Sequence, residues 1–302
     1  PWIEVHWPSG NRQRFAEAEE ALSAANSIGQ TLPEDLDWTL VREANVLLGS
    51  LLFAQNRWLE SYEVLLQLAA VPREEDNGEL QLMIAQCLME LGRVDEAVVI
   101  FQKASMNLPG DHRPVLGEGD LLVRSGNAVA AWAIAERLAV HDRSGEPEVL
   151  MFRARAAALS GRLEEAVRAL DTVLVALPDM VGARGMLGTI LFDLGRNAEA
   201  RPHLEAAVTV GFPDAQYHAA LADLDLLEGR VAEGLMRARR AVALMPANAQ
   251  ARLVLARCLH ADGQARESLM ELDTTERDAA AAGEAGLVEM ARRLRAEWTA
   301  GG

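Results

Sequence analysis

The sequence predicts an all-α solenoid of about seven stacked helical hairpins with further helices closing its ends. Three observations carry this expectation. Gly92, Gly126, Gly161, Gly195, Gly229 and Gly263 are separated by 34, 35, 34, 34 and 34 residues, and Asn56 stands 36 residues before the first of them. Seven residues before these seven positions lie Gly49, Ala85, Gly119, Ala154, Gly188, Ala222 and Ala256, and five after them lie Ser61, Ala97, Ala131, Ala166, Ala200, Gly234 and Ser268. Pro109, Pro178 and Pro246 each follow their glycine by seventeen residues, with Pro72 and Pro213 one place off. A recurrence of this length marks stacked supersecondary units, none of which buries its apolar face alone.

The first element differs from the rest. In "WIEVHWPSGNRQRF", Ile3, Val5 and Trp7 alternate before Pro-Ser-Gly, which predicts a short strand running into a turn. This stretch, residues 2–15, resembles the V-x-W-P-S-G piece of ASPIC/UnbV-type domains, which accompany β-propeller-like repeats in exported proteins. The alternative is an N-terminal extension that packs Trp2 and Trp7 on the first hairpin. Residues 11–28 then predict a helix, with Phe15, Ala18, Leu22 and Ala25 on one stripe.

Seven hairpins follow between Arg42 and Gly283. Each glycine stops a first helix in a left-handed conformation, and Asn56 substitutes for it as one of the few other residues that tolerate this state. The paired small residues let two antiparallel helices approach closely, and the proline ends the second helix. Leu88, Phe101, Leu170, Leu191, Leu204, Leu259 and Leu272, four before or nine after a glycine, are expected to fill the seams. Ala157 is a small residue at such a place. Asp179, Asp214 and Asn248 are expected to cap the helices that follow them. The unit from His112 to Arg143 is degenerate, with Ala135 at a bulky position and Arg143 in place of proline, and the last unit closes weakly on Thr275 and Ala280. Residues 284–298 predict one more helix, with Leu287, Met290, Ala291, Leu294 and Trp298 on one face and Arg292, Arg293 and Arg295 opposite. The expected organisation is an extension and capping helix over residues 1–41, a solenoid over 42–283, and a capping helix and tail over 284–302.

The pattern of small, small, aromatic, small and proline positions resembles the tetratricopeptide repeat family, most closely from Gly78 to Asp111. The resemblance implies a right-handed superhelix whose first helices line a concave groove, and a non-catalytic protein-binding role. It further implies that residues thirteen, ten, six, three and two before each glycine face inward. On that register Arg113, Leu116, Arg124, Met151, Arg155, Gly185, Thr189, Phe192 and Asp223 are the candidate partner-binding residues. Met89, Met151, Phe192 and Leu226 form an expected apolar floor, and Gly182 and Gly185 leave room for close approach. Arg113, Arg124 and Arg155 bring positive charge to an acidic molecule, so the expected partner is a protein helix or extended peptide with apolar anchors and an acidic group. The alternative is that these arginines pair with Asp120, Asp193 and Glu148, and that the methionines and Phe192 are core. The asparagine and lysine clamp that some family members use for acidic C-termini has no counterpart in Val46, Ser50, Met83, Arg113 and Gly117.

A net charge of −16 over 302 residues disfavours nucleic acid and anionic lipid as partners. No stretch has the length of apolar sequence that a membrane span needs. Cys87 and Cys258 are the only cysteines, too few for a disulfide framework or a thiolate zinc site. The six histidines (His6, His112, His141, His203, His218 and His260) are scattered, and no phosphate loop, HExxH or nucleophile elbow is present. Asp223 and Asp225 in "DLDLLE" are expected on different faces, which argues against a shared metal. No cofactor or catalysis is therefore expected. The chain is read as a cytoplasmic adaptor. The alternatives are a homo-oligomeric scaffold, or the recruitment arm of a larger enzyme or secretion machine, then periplasmic or exported. A start at Pro1 is compatible with loss of an initiator methionine and with a piece of a longer protein.

Overall fold

In the computed structural model the described residues are 38–71, 74–140, 145–210 and 214–300. The expected strand, the helix over 11–28, Pro72, Pro213, His6, His141 and Arg143 lie outside them. The described residues form fifteen helices and no strand. In chain order they are α1 (Trp38–Ala54), α2 (Trp58–Ala69), α3 (Gly78–Glu90), α4 (Val94–Asn107), α5 (Arg113–Arg124), α6 (Ala128–Ala139), α7 (Pro147–Leu159), α8 (Leu163–Ala176), α9 (Val181–Asp193), α10 (Asn197–Thr209), α11 (Ala215–Leu227), α12 (Val231–Leu244), α13 (Ala249–Ala261), α14 (Ala265–Ala282) and α15 (Ala285–Ala300). The chain divides into two compact units, residues 1–152 and 153–302, with the division falling inside α7.

Every expected turn is present. The six glycines have φ between 72° and 82°, and Asn56 adopts 61°. All fourteen small residues at the two flanking offsets are buried. The residue after the turn is arginine in five hairpins, and four of these arginines pair with the glutamate three places on: Arg57–Glu60, Arg93–Glu96, Arg162–Glu165 and Arg196–Glu199. These pairs sit in solvent, so they orient the start of the second helix rather than hold the fold.

The prolines act as expected. Helices α4, α8 and α12 end two residues before Pro109, Pro178 and Pro246, and the intervening Leu108, Leu177 and Met245 leave the helical region at ψ 66° to 82°. Asp214 caps α11 by accepting from the Gln216 N–H at 2.8 Å, and Asn248 caps α13 by accepting from the Ala251 N–H at 2.8 Å. Asp179 does not cap α9. The cap position is Met180, two residues after Pro178, as Asn248 is two after Pro246, so Asp179 arrives one residue early. Asn77 and Asn127 cap α3 and α6 instead. Arg184 and Arg252 donate to the Pro178 and Pro246 carbonyls six residues back, at 2.7 and 2.9 Å, which satisfies inter-hairpin loop oxygens.

The seven seam residues are all buried. In the degenerate third hairpin the Phe152 ring lies where a Cβ on Gly119 would stand, and the Phe101 ring occupies the same place over Gly117. Helix α15 docks through Ala291 on Leu253, Ala256 and Leu272, flanked by Leu287, Leu294 and Trp298. Met290, expected on that face, is half exposed.

Candidate functional site

Charge is divided unevenly along the chain. Residues 1–152 contain 11 Lys and Arg against 24 Asp and Glu, and residues 153–302 contain 18 against 21. The first half thus carries −13 and the second −3 of the total.

Within the first unit the candidate arginines are engaged. Arg113 contacts Glu79 and Asp111, and Arg124 Nη1 lies 3.0 Å from Glu90 Oε1. For these two arginines the acids are thus Glu79, Asp111 and Glu90 rather than Asp120, Asp193 or Glu148. Both cations nevertheless remain about half exposed. Leu116 and Met151 are half-buried. Met89 is 2% exposed and belongs to the core rather than to a floor, because Phe53, three residues before its own turn, packs into the same cluster.

Within the second unit, α9 packs on α11 and α11 on α13. Arg257 Nη1 meets Asp223 Oδ1 at 2.5 Å, which aligns residues six before the turn in successive hairpins. The same alignment places Phe192, Leu226 and His260, each three before its turn, in sequence along one edge. Phe192 and Leu226 are half-buried, and Leu227 beside them is 61% exposed. Arg155 and Thr189 are half-buried, and the Thr189 hydroxyl donates to the Met186 carbonyl at 2.9 Å. Gly185 leaves no opening for a partner. The Tyr217 ring fills the space a Cβ would take, and its hydroxyl donates to the Gly182 carbonyl at 3.4 Å. Nothing lies within 4 Å of a Cβ placed on Gly182.

Asp223 is buried, and burial pushes its carboxyl above the usual aspartate range against the opposing pull of Arg257. A carboxyl raised in the folded state contributes stability that is complete below its unfolded pKa and declines as pH rises through the folded value. The urea midpoint of wild type relative to Asp223→Asn is therefore expected to fall as pH rises above the ordinary aspartate range, and an unchanged difference would refute this assignment.

Sequence reasoning missed the densest charge cluster. Asp225 is fully buried at a position where five of the other six hairpins place a leucine, and three arginines converge on it. Arg201 Nη1 and Arg230 Nη2 stand 3.1 and 2.8 Å from Oδ1, and Arg237 Nε stands 2.9 Å from Oδ2 without hydrogen-bond alignment. Glu228 and Glu205 complete the set through Arg201 and Arg230. Arg230 is the fifth of the post-turn arginines, diverted from Glu233 to this carboxylate. The signal was available as an acid at a seam offset. Among the described residues no group of three His, Cys, Asp or Glu is placed to hold a metal, and no helix is long and apolar enough to cross a membrane.

Hairpins closed by left-handed turns and stacked on small residues define a helical-repeat protein. Models of the tetratricopeptide repeat match residues 52–117 and 157–224, and a further such model matches residues 116–181. The matches run through more than half of the chain, which belongs to the tetratricopeptide repeat family. Such repeats are protein–protein interaction modules, and the fold is typically a non-catalytic scaffold. A tetratricopeptide repeat protein from Parabacteroides merdae ATCC 43184 is similar with a TM-score of 0.64 and 16% identity, covering 82% of this chain and 94% of that one. The APC/C hetero-tetramer Cut9–Hcn1 gives 0.66 at 17% identity over 85% of this chain and 50% of that chain. PilF of Pseudomonas aeruginosa gives 0.60 at 12% over 72% and 97%. At such identities the likeness is one of fold. No curated protein matches the chain.

Proposed function

We propose that the chain is a non-catalytic scaffold that holds a helix or extended peptide of a partner protein on the inner faces of its first helices. The observation that carries this reading is the apolar edge of half-buried Phe192 and Leu226 beside the exposed Leu227. Arg155 and Thr189 stand nearest it in register, and Asp223 is held by Arg257 behind it. On the first unit Arg113, Leu116, Arg124 and Met151 offer two half-exposed cations and two half-buried apolar side chains. Those cations suit a partner with an acidic group beside its apolar anchors, and the ion pairs they already make must be exchanged when it binds. Gly185 serves in this reading as the seat of Tyr217 and not as a contact.

The test compares capture of a native partner by wild type, Phe192→Asp/Leu227→Asp and Arg113→Glu/Arg155→Glu, with helicity checked by circular dichroism. The first variant is expected to lose the partner, and the second to bind about tenfold or more weakly, as for truncating charged interface pairs. Undiminished capture by the first variant would reject the surface. Undiminished capture by the second would show that neither arginine takes part in binding.

A further inference from the structure

We infer that α15 is an exchangeable element that can leave its own α13–α14 edge and seat on the same edge of a second copy of this chain. This surface meets the proposed partner edge at His260, on which Trp298 stacks, and the inference stands on the junction between α14 and α15.

Five earlier connections between hairpins carry a proline, Pro72, Pro109, Pro178, Pro213 and Pro246, and the remaining one leads into Pro147 at the first position of α7. A proline at such a place opposes a continuous helix, through its missing N–H and its restriction of the residue before it. The junction before α15 carries Gly283 instead, with φ 76° and ψ 17°, between Ala279–Ala282 and Glu284–Ala285. Its neighbours are among the best helix formers, so the break rests on one left-handed glycine. Helix α14 already runs 18 residues, against 12 to 14 for the second helices of the other hairpins. A change of Gly283 to right-handed dihedrals merges α14 and α15 into a single helix from Ala265 to Ala300.

The merged helix carries α15 away from α13 and bares the surfaces that faced each other. One is the edge of Leu253, Ala256 and Leu272; the other is the stripe of Leu287, Ala291, Leu294 and Trp298. The polar partners separate too: Arg292 from Glu276 (2.5 Å), Arg295 from Glu276 and Asp273 (2.8 and 2.6 Å), and the Trp298 ring from His260, on which it stacks at 4.0 Å and 4°. The occupant whose fit to this edge is already displayed is α15 itself, so a second copy in the same state restores every contact in both directions. The resulting interface is isologous, the geometry of an exchanged dimer. Intramolecular closure favours the monomer when dilute, and exchange gains with concentration.

Light scattering on the full chain from micromolar to millimolar concentration tests this. Gly283→Ala penalises the left-handed break, and is expected to lower the monomer–dimer midpoint by about tenfold or more while the amides of residues 285 and 286, at the start of α15, gain helix-interior protection from exchange. Gly283→Ala/Ala291→Asp, which spoils α15 docking on either copy, is expected to return the protein to monomer with helicity retained. A Gly283→Ala protein that stays monomeric throughout with those amides unprotected overturns the inference, as does a dimer that survives Ala291→Asp.

Discussion

Asp225→Ala is expected to destabilise the second unit by about 3–5 kcal/mol, the usual cost of removing one partner from a buried ion cluster. Asp225 is fully buried, and Arg201 and Arg237, 17% and 22% exposed, would be left facing a cavity without their anion. Arg230 is exposed enough to return to Glu233, in the manner of the other four hairpins. The triple variant Asp225→Leu/Arg201→Met/Arg237→Met should recover most or all of this loss, because apolar replacement of a buried ion cluster ranges from neutral to stabilising. Urea unfolding followed by circular dichroism measures both, and hydrogen exchange at α10–α12 locates the effect. A small loss in the single variant would show that water reaches the arginines once the acid is gone.

Ala97→Leu should cost about 1–3 kcal/mol by overpacking the crossing of α3 and α4. Ala97 is fully buried beside Ala85, also fully buried, so a larger side chain has to push the helices apart or leave its rotamer. The expected readout is a lower melting temperature with far-ultraviolet circular dichroism unchanged at low temperature. A leucine accepted without cost would contradict the register in which residues five after the turn form the helix crossing.

The features that the sequence displayed clearly are those the backbone imposes. A left-handed turn selects glycine or asparagine, a close helix crossing selects small residues, and a helix end before proline is fixed by sterics. Each recurs at every hairpin, so repetition exposes it. Positions that depend on the next hairpin's side chains were read less well. Met89 has the offset of an inner-face residue, yet a phenylalanine in the preceding hairpin draws it into the core. Gly185 looked open because the Tyr217 ring that fills it arrives from 32 residues further along. Asp225 was read by its helix face alone, where counting it at the leucine offset would have asked which cations surround it. Asp179 failed as a cap through a one-residue difference in distance from proline. Arg113 and Arg124 have acids, Glu79 and Glu90, at the same offset one hairpin earlier, a relation seen only when repeats are laid beside one another.

That relation fixes the sequential identity of the modules. Glu79 with Arg113, Glu90 with Arg124 and Asp223 with Arg257 each join identical places 34 residues apart. A gene in which these cassettes had been shuffled would keep its composition, turns and crossings, and would still set like charges side by side or strand a buried acid. The array is therefore periodic as architecture and aperiodic as text, and any duplication or excision along it has to preserve who stands next to whom.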